Sequence, residues 1–167
     1  RAAIQSLLAS APASALKVFD VNLRQGYYDA SVLRASLGLA TVVKLNEDEL
    51  PVICDLLGIA GSDGRTRLST VVDTFELKAA ALTCGEGGSH LYANGEWSFA
   101  ESRPVEVRDT IGAGDSFLAA FVMGLLAKLP LDQINEYANE IARFVCTCEG
   151  ATPPIPVNLC QYFQPAA

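Results

Sequence analysis

The feature that most restricts the fold of this chain is an alternation of short apolar segments with longer helical ones. Segments 16–22, 41–46 and 79–84 are rich in apolar and β-branched residues, which is typical of buried strands. Segments with helical periodicity, about 10–15 residues long, separate them. This order predicts an α/β fold with a parallel central sheet that is covered by helices on both faces.

Capping residues mark the helix ends in the first half of the sequence. Asp29 or Ser31 is the expected cap of the second predicted helix, and Gly58 is the expected end of the third. No capping residue precedes the first helix, so the chain is expected to begin inside an element. The four predicted helices span 2–12, 29–40, 47–58 and 67–77.

The pattern changes after residue 84. Two alternating segments flank Asn94-Gly95, which predicts a small β-hairpin. The segment "VEVRD" predicts a brief strand, and a helix then runs to Pro130. A second helix is predicted to end at Gly150, and a Pro-rich tail follows over 152–167. We see no linker, so one domain over 1–167 is expected.

Composition narrows the class of partner. The 167 residues carry a net charge of −7 with the acidic residues spread along the chain, which argues against binding to nucleic acid. No apolar run approaches the ~18 residues of a membrane span, so no membrane partner is expected. The five cysteines are an odd number at expected core positions, which favours reduced, packed thiols in a cytoplasmic protein.

The stretch "VRDTIGAGDSFLAAF", residues 107–121, places glycines where a helix begins and a carboxylate in its first turn. The first backbone N–H groups of a helix have no internal partner and carry partial positive charge. Gly112, Ala113 and Gly114 could therefore form a hole for phosphate oxygens, and Asp115 could accept a proton from an attacking hydroxyl. In the alternative interpretation, the glycines shape a turn and Asp115 stabilises the helix start. No Gly-Lys-Ser/Thr follows, so this is not a Walker A loop.

The segment "DTIGAGDSFLAAFV" resembles the second signature of the ribokinase-like (PfkB) carbohydrate kinases. This resemblance implies a ribokinase-like fold, with Asp115 as the catalytic base and Gly112-Ala113-Gly114 as the anion hole. It also implies ATP-dependent phosphorylation of a sugar hydroxyl. "KLNEDE" resembles the N-x-x-E motif of the family, which would place Asn46 and Glu49 near Mg²⁺ and the triphosphate, mostly through water. Asn46 could also be a plain N-cap, and both roles can hold together.

Two further segments resemble the nucleotide site of the family. "LTCGEGGSHLY" resembles its T-x-G-x-x-G turn, which would give Thr83, Gly85 and Gly88 contacts with the nucleotide. A plain connection from strand to hairpin is the alternative. Asn139 falls where the family often contacts adenine, and otherwise it would be an ordinary solvated helix residue.

"FDVNLRQGYY" contains D-x-N-x-R after a strand, which resembles fructokinases and ketodeoxygluconate kinases. Asn22 and Arg24 would then face the sugar or the transferred phosphate, and Arg suits a bidentate oxyanion contact. An ion pair of Arg24 with a helix carboxylate is the alternative. The resemblance also implies a monovalent-cation site, K⁺ being the candidate, formed by carbonyls near "EGATPPIP" and those of Asp109 and Ile111.

Three other residues invite a role. Lys44 could steer phosphate or could be a snorkelling surface lysine. His90 receives no catalytic role, and Trp97 is expected to pack rather than to support a sugar.

Bacterial fructokinases are the branch that the chain resembles most, so fructose is the expected acceptor, with ATP and Mg²⁺. A kinase for 2-keto-3-deoxygluconate, a nucleoside or a sugar phosphate is the alternative. Members of this family have about twice this length, and the chain resembles their C-terminal half. It lacks the Gly-Gly motif and the β lid, through which a homodimer could form. A fragment that only binds nucleotide or assembles with a missing half, and that is poorly soluble alone, is a further expectation.

Overall fold

A computed structural model describes residues 2–160 of the chain. Two compact units divide it, Arg1–Leu82 and Thr83–Ala167. Residue 1 and the end of the predicted Pro-rich tail, 161–167, lie outside the described residues. No helix within 2–160 combines the length and the apolar character that crossing a bilayer requires.

The first unit is built on parallel strands, as the alternating pattern predicted. β2 lies between β1 and β3 in the sheet, and β1 pairs with β2 in parallel, with Val18 opposite Val42. The first four residues of β2 and of β3 are all buried, which means that both faces of these strands are covered. The strands are β1 Val18–Asp20, β2 Val42–Asn46 and β3 Ala79–Thr83, and the helices are α1 Ala2–Ser10, α2 Ala30–Leu39, α3 Glu49–Leu57 and α4 Gly64–Phe75.

Capping residues set the helix bounds in this unit. Asp29 caps α2 by accepting a hydrogen bond from the Val32 N–H at 2.8 Å, and Gly58 ends α3 with a left-handed φ of 69°. α4 begins at Gly64, earlier than predicted, because Asp63 caps it through the Thr66 N–H. That hydrogen bond, followed by bonds from the Ser62 and Thr66 hydroxyls, lowers the pKa of the Asp63 carboxyl.

Two predictions for the first unit were wrong. β1 is shorter than the predicted buried strand 16–22, and Val18 is 37 % exposed, because β1 is the last strand in the order of the described sheet. Lys44 is neither a snorkelling surface residue nor free to steer phosphate. It is only 7 % exposed and its Nζ lies 3.1 Å from Oδ1 of Asp20, which faces it across the β1–β2 pair.

The second unit combines an antiparallel hairpin with long helices. Asn94 and Gly95 have φ values of 52° and 87°, both positive as a type I′ turn requires, which confirms the predicted hairpin. α6 packs against both hairpin strands and against α5. Trp97 packs on Tyr92 across the hairpin, as expected, with ring centroids 5.2 Å apart. The elements are β4 Ser89–Ala93, β5 Glu96–Ala100, α5 Ala113–Leu126, α6 Leu131–Cys146, α7 Val157–Cys160 and a one-turn 3₁₀ helix, Gly85–Gly87.

The predicted strand "VEVRD" is absent, since residues 101–110 contain no strand. The N–H groups of Arg108 and Asp109 donate instead to the carbonyl of Cys146, at 2.8 and 3.3 Å. The prediction that α6 ends at Gly150 was also wrong, because the helix ends at Cys146, where these two N–H groups take up its last carbonyl. A sequence pattern of alternating valines cannot show that the partner of a segment is a helix end.

A buried polar network joins α6 to the hairpin. Asn135 is fully buried, and its Nδ2 donates to the Ser98 hydroxyl at 3.1 Å and to the Ser89 carbonyl at 3.3 Å. Its Oδ1 accepts hydrogen bonds from the Ser89 hydroxyl and from Nδ2 of Asn139. Every member therefore has partners, as a buried polar group requires if it is not to destabilise the fold.

Replacing Asn135 by alanine is expected to lower the free energy of unfolding by about 2 kcal/mol, because the buried Ser89 hydroxyl loses its acceptor and the buried Ser98 hydroxyl loses its donor. Denaturant unfolding of the complete protein measures the change. Gln133→Ala is the matched control, because Gln133 is exposed on the same helix and its loss should change stability by no more than about 0.5 kcal/mol. Equal effects of the two substitutions would contradict the importance of the network.

Candidate active site

The loop before α5 has the geometry of an anion-binding helix start. Gly112 is the N-cap residue with φ +83°, and a Cβ at this position would collide with the Ala151 carbonyl oxygen. The N–H of Ala113 donates to the Thr110 carbonyl at 3.3 Å. Among residues 2–160, the N–H groups of Gly112, Gly114 and Asp115 have no acceptor, so they are available to an anion.

Asp115 lies in the first turn of α5, as predicted, and its side chain is exposed. A carboxylate at this position is stabilised by the helix dipole, and it is accessible to an acceptor hydroxyl in solution. The structure therefore brings together, within four consecutive residues, free amides for an oxyanion and a carboxylate that can accept a proton. The role of Asp115 as a catalytic base stays a prediction.

Asp109 ties this loop to the segment after α6. Its Oδ1 accepts from the Ile111 N–H at 2.9 Å, and its Oδ2 accepts from the Gly150 N–H at 3.2 Å. Burial, and then the charge of Asp109, raise the pKa of the nearby Cys146 thiol. The two segments that were expected to share a monovalent cation thus lie side by side. Binding of K⁺ by carbonyls of Asp109 and Ile111 stays a prediction.

The N-x-x-E motif forms a reciprocal capping box at the start of α3. Oδ1 of Asn46 accepts from the N–H of Glu49 at 2.9 Å, and Oε2 of Glu49 accepts from the N–H of Asn46 at 2.9 Å. The capping role of Asn46 is thus present in the structure. Glu49 is only 8 % exposed, and its second oxygen, Oε1, accepts from the Leu23 N–H at 3.0 Å.

The described residues offer few side chains that could coordinate Mg²⁺ directly. No group of three or more His, Cys, Asp or Glu side chains in residues 2–160 could hold a metal ion. At the N-x-x-E motif, each oxygen of Glu49 already accepts one backbone hydrogen bond. These residues fit a magnesium ion that is held mainly by phosphate oxygens and water, with protein contacts through water.

Asn22 and Arg24 lie in the exposed loop after β1, where the backbone of Asn22 has φ +39°. In the described part of the chain, Arg24 has no carboxylate within salt-bridge distance, so the alternative ion pair does not form. The guanidinium is therefore available to an oxyanion. A contact of Asn22 or Arg24 with a sugar or a phosphate stays a prediction.

The T-x-G-x-x-G turn is shaped by its glycines. Thr83 ends β3, and Gly85 and Gly88 have φ values of 51° and 89°. A Cβ on Gly88 would strike the Ala100 carbonyl oxygen of β5, so only glycine fits. The connection from strand to hairpin is thus present, and the nucleotide contacts of Thr83, Gly85 and Gly88 stay predictions.

Asn139 is not an ordinary solvated residue. It is half-buried, and its Nδ2 donates to the Ser89 hydroxyl at 2.7 Å and to the Asn135 carbonyl at 2.8 Å. Asn139 also lines a groove of about 610 Å³. One side of this groove is α6, and the other side is β5 together with the residues that follow β5 in the chain. The groove also includes Arg103, Tyr137 and Arg143, which sequence reasoning did not identify, because no motif connects positions so far apart.

Asp115 does not line this groove. Contact of Asn139 with adenine stays a prediction.

A glycine-opened helix start with free amides and a carboxylate in its first turn is compatible with phosphoryl transfer, because the amides can hold an oxyanion and the carboxylate can accept a proton. Residues 2–158 match the pfkB family carbohydrate kinase, and the chain belongs to this family. The resemblance that the signature at 109–122 indicated is thereby confirmed.

Relatives and solved structures agree with this assignment. A fructokinase of Klebsiella pneumoniae is 32 % identical over 153 residues, which cover 83 % of this chain and 47 % of that protein. The structure of a sugar kinase of Pyrococcus horikoshii in complex with ATP is 27 % identical in sequence and superimposes with a TM-score of 0.69. The match covers 90 % of this chain and 48 % of the Pyrococcus chain. The chain spans about half the length of the curated relatives it matches.

The fold is that of the ribokinase family. A nucleoside kinase of Methanocaldococcus jannaschii, an archaeal member of that family, is 19 % identical with a TM-score of 0.79. The match covers 95 % of this chain and 51 % of the Methanocaldococcus chain. This likeness confirms the predicted fold class for the part of the fold that the chain represents.

Proposed function

We propose that this chain carries the phosphoryl-transfer half of an ATP-dependent sugar kinase. The observation that carries the proposal is the start of α5, where Asp115 lies exposed beside backbone N–H groups without an acceptor. Membership of the pfkB family supports a carbohydrate as the acceptor. The solved relative with ATP supports ATP as the donor.

In the proposed reaction, Asp115 removes the proton of the acceptor hydroxyl as its oxygen attacks the γ-phosphorus of ATP. The bond from the γ-phosphorus to the bridging oxygen breaks, and ADP leaves with the electron pair. The free N–H groups of Gly112, Gly114 and Asp115 and the dipole of α5 stabilise charge on the transferred phosphoryl group. The Ala113 N–H, predicted to share in the anion hole, already donates to the Thr110 carbonyl. Mg²⁺ supplies further charge neutralisation when it is bound with ATP.

Fructose is the proposed acceptor. The fructokinase relative is 32 % identical, and D-x-N-x-R after β1 leaves Asn22 and Arg24 exposed for an acceptor. The second candidate acceptor is 2-keto-3-deoxygluconate, because D-x-N-x-R also resembles the corresponding segment of ketodeoxygluconate kinases. A nucleotide-binding module without turnover is the candidate from another class, because the chain spans about half of its relatives.

Fructose should stimulate release of ADP from ATP by the complete protein in the presence of Mg²⁺, because the attacking hydroxyl is then supplied. A coupled ADP assay with fructose, 2-keto-3-deoxygluconate, ribose and a nucleoside measures this, and calorimetric titration measures ATP binding. Turnover with another acceptor and not with fructose would show that fructose is the wrong acceptor, while the assignment as a kinase would stand. ATP binding without turnover on any acceptor would favour the binding module and contradict the proposal.

A further inference from the structure

One buried carboxylate connects two segments that the sequence presents as separate motifs. Glu49 belongs to the N-x-x-E motif, which begins at the last residue of β2, whereas Leu23 lies inside the D-x-N-x-R segment, which begins at the last residue of β1. Oε1 of Glu49 accepts from the Leu23 N–H at 3.0 Å, while Oε2 accepts from the Asn46 N–H at 2.9 Å. With 8 % of its surface exposed, this carboxylate is held by hydrogen bonds from both segments.

The position of Glu49 suits this bridging role. It is the first residue of α3, where the helix dipole favours a negative charge. β1 and β2 are parallel neighbours with Asp20 opposite Lys44, so the segments that follow them leave the sheet at the same edge. A buried carboxylate without hydrogen bonds would destabilise the fold, and here the backbone supplies them from two directions.

Among the described residues, few hydrogen bonds connect the loop after β1 to the rest of the first unit. The last bond of the strand ladder joins the Val21 N–H to the Lys44 carbonyl at 3.0 Å. In the following segment, 22–28, the bond from Leu23 to Glu49 is the one hydrogen bond that the described residues show to the rest of the molecule. The other recorded bond there is local, from the Tyr27 N–H to the Arg24 carbonyl. Leu23 lies between the two residues proposed to meet the acceptor, Asn22 and Arg24.

We propose that Glu49 is a positioning residue for acceptor binding, acting through the Leu23 N–H to hold the loop that presents Asn22 and Arg24. The inference rests on the proposed function for the identity of the acceptor. This role is additional to the water-mediated contact with magnesium that the N-x-x-E residues fit. The carboxylate also acts on the acceptor side of the reaction, through the backbone of the loop after β1.

Hydrogen exchange tests the contact without any substitution. In the complete protein, the Leu23 amide should exchange at least ~10-fold more slowly than those of its exposed neighbours Arg24 and Gln25, because only a hydrogen-bonded amide must open before it exchanges. The protection should be lost in Glu49→Ala. Exchange of Leu23 as fast as its neighbours in the unsubstituted protein would overturn the inference.

Steady-state kinetics test whether loss of the Glu49 contact weakens acceptor binding. The amide of Glu49→Gln has one acceptor oxygen, so it can satisfy only one of the two N–H groups. The KM for the acceptor should rise about 10-fold in Glu49→Gln and further in Glu49→Ala, because a displaced loop misplaces the acceptor contacts. The KM for ATP should change less than the KM for the acceptor, because the loop at 22–28 is proposed to meet the acceptor. Glu47→Gln is the matched control, because Glu47 is exposed and its substitution makes the same charge change in the same motif.

Hydrogen exchange and kinetics together distinguish a failure of this inference from a failure of the proposed function. A shift in the Mg²⁺ requirement of Glu49→Gln with an unchanged acceptor KM would overturn the positioning role and support a magnesium role. If the unsubstituted protein turns over no acceptor, the proposed function fails, while the exchange of the Leu23 amide still decides whether Glu49 holds the loop. A Glu49→Ala protein that does not fold leaves the exchange measurement on the unsubstituted protein and the kinetics of Glu49→Gln to decide.

Discussion

Asp115→Asn is expected to reduce kcat of the complete protein by at least ~10²-fold, the lower end of the effect of removing a general base. Asparagine has nearly the same shape but cannot accept the proton of the attacking hydroxyl. Binding of ATP should change little, because the amides at the start of α5 belong to the backbone. Steady-state kinetics with the acceptor and a calorimetric titration with ATP measure the two quantities.

The stability of Asp115→Asn separates catalysis from folding. Loss of a charge at a helix start costs about 0.3–1 kcal/mol, so denaturant unfolding should show only a small change. Asp73→Asn is a control for charge removal, because Asp73 is exposed on α4 and has no role in the proposed reaction. Near-normal kcat in Asp115→Asn would refute the assignment of the base, and an equal kcat loss in Asp73→Asn would show a nonspecific effect.

Gly112→Ala is expected to lower the free energy of unfolding by about 3 kcal/mol, as left-handed strain adds to a steric collision. The backbone of Gly112 has φ +83°, and a new Cβ would meet the carbonyl oxygen of Ala151, which is backbone and cannot rotate away. Relief of the collision must displace the loop that carries the free amides, so kcat should fall as well. Denaturant unfolding and steady-state kinetics measure both effects.

Gly95→Ala separates the collision from the strain. Gly95 has nearly the same φ, +87°, but nothing lies within 4 Å of its would-be Cβ. It should therefore cost only about 1 kcal/mol, from left-handed strain, and leave kcat unchanged. If the two substitutions were equally destabilising, close packing of the Gly112 loop on Ala151 would not be the reason for the glycine.

Several parts of the candidate site follow from local sequence. The glycine-opened start of α5 and Asp115 in its first turn were predicted because a helix start depends on neighbouring residues. The same holds for the cap of α2, for which Asp29 and Ser31 were the two candidates, and for the hairpin at Asn94-Gly95, whose turn type needs two positive φ values. The pfkB signature could be read for the same reason, since its chemistry lies within one short segment.

Other parts depend on residues that are distant in sequence. Asn139 could be taken for a solvated helix residue because its hydrogen bond to Ser89 spans 50 positions. "VEVRD" alternates like a strand, but its N–H groups bond to the last carbonyl of α6. Lys44 gave no sign that it would be buried, because the partner that makes its burial tolerable, Asp20, lies on a neighbouring strand.

By itself, the sequence determined the alternation of strands and helices, the caps, the hairpin and the kinase signature, because each is set by periodicity or by chemistry within a few residues. Only the tertiary structure decided that Glu49 reaches Leu23, that Asn135 joins α6 to the hairpin, and that Gly112 lies on Ala151. These contacts join segments whose approach depends on the packing of whole elements. Local propensity contains no information about that approach.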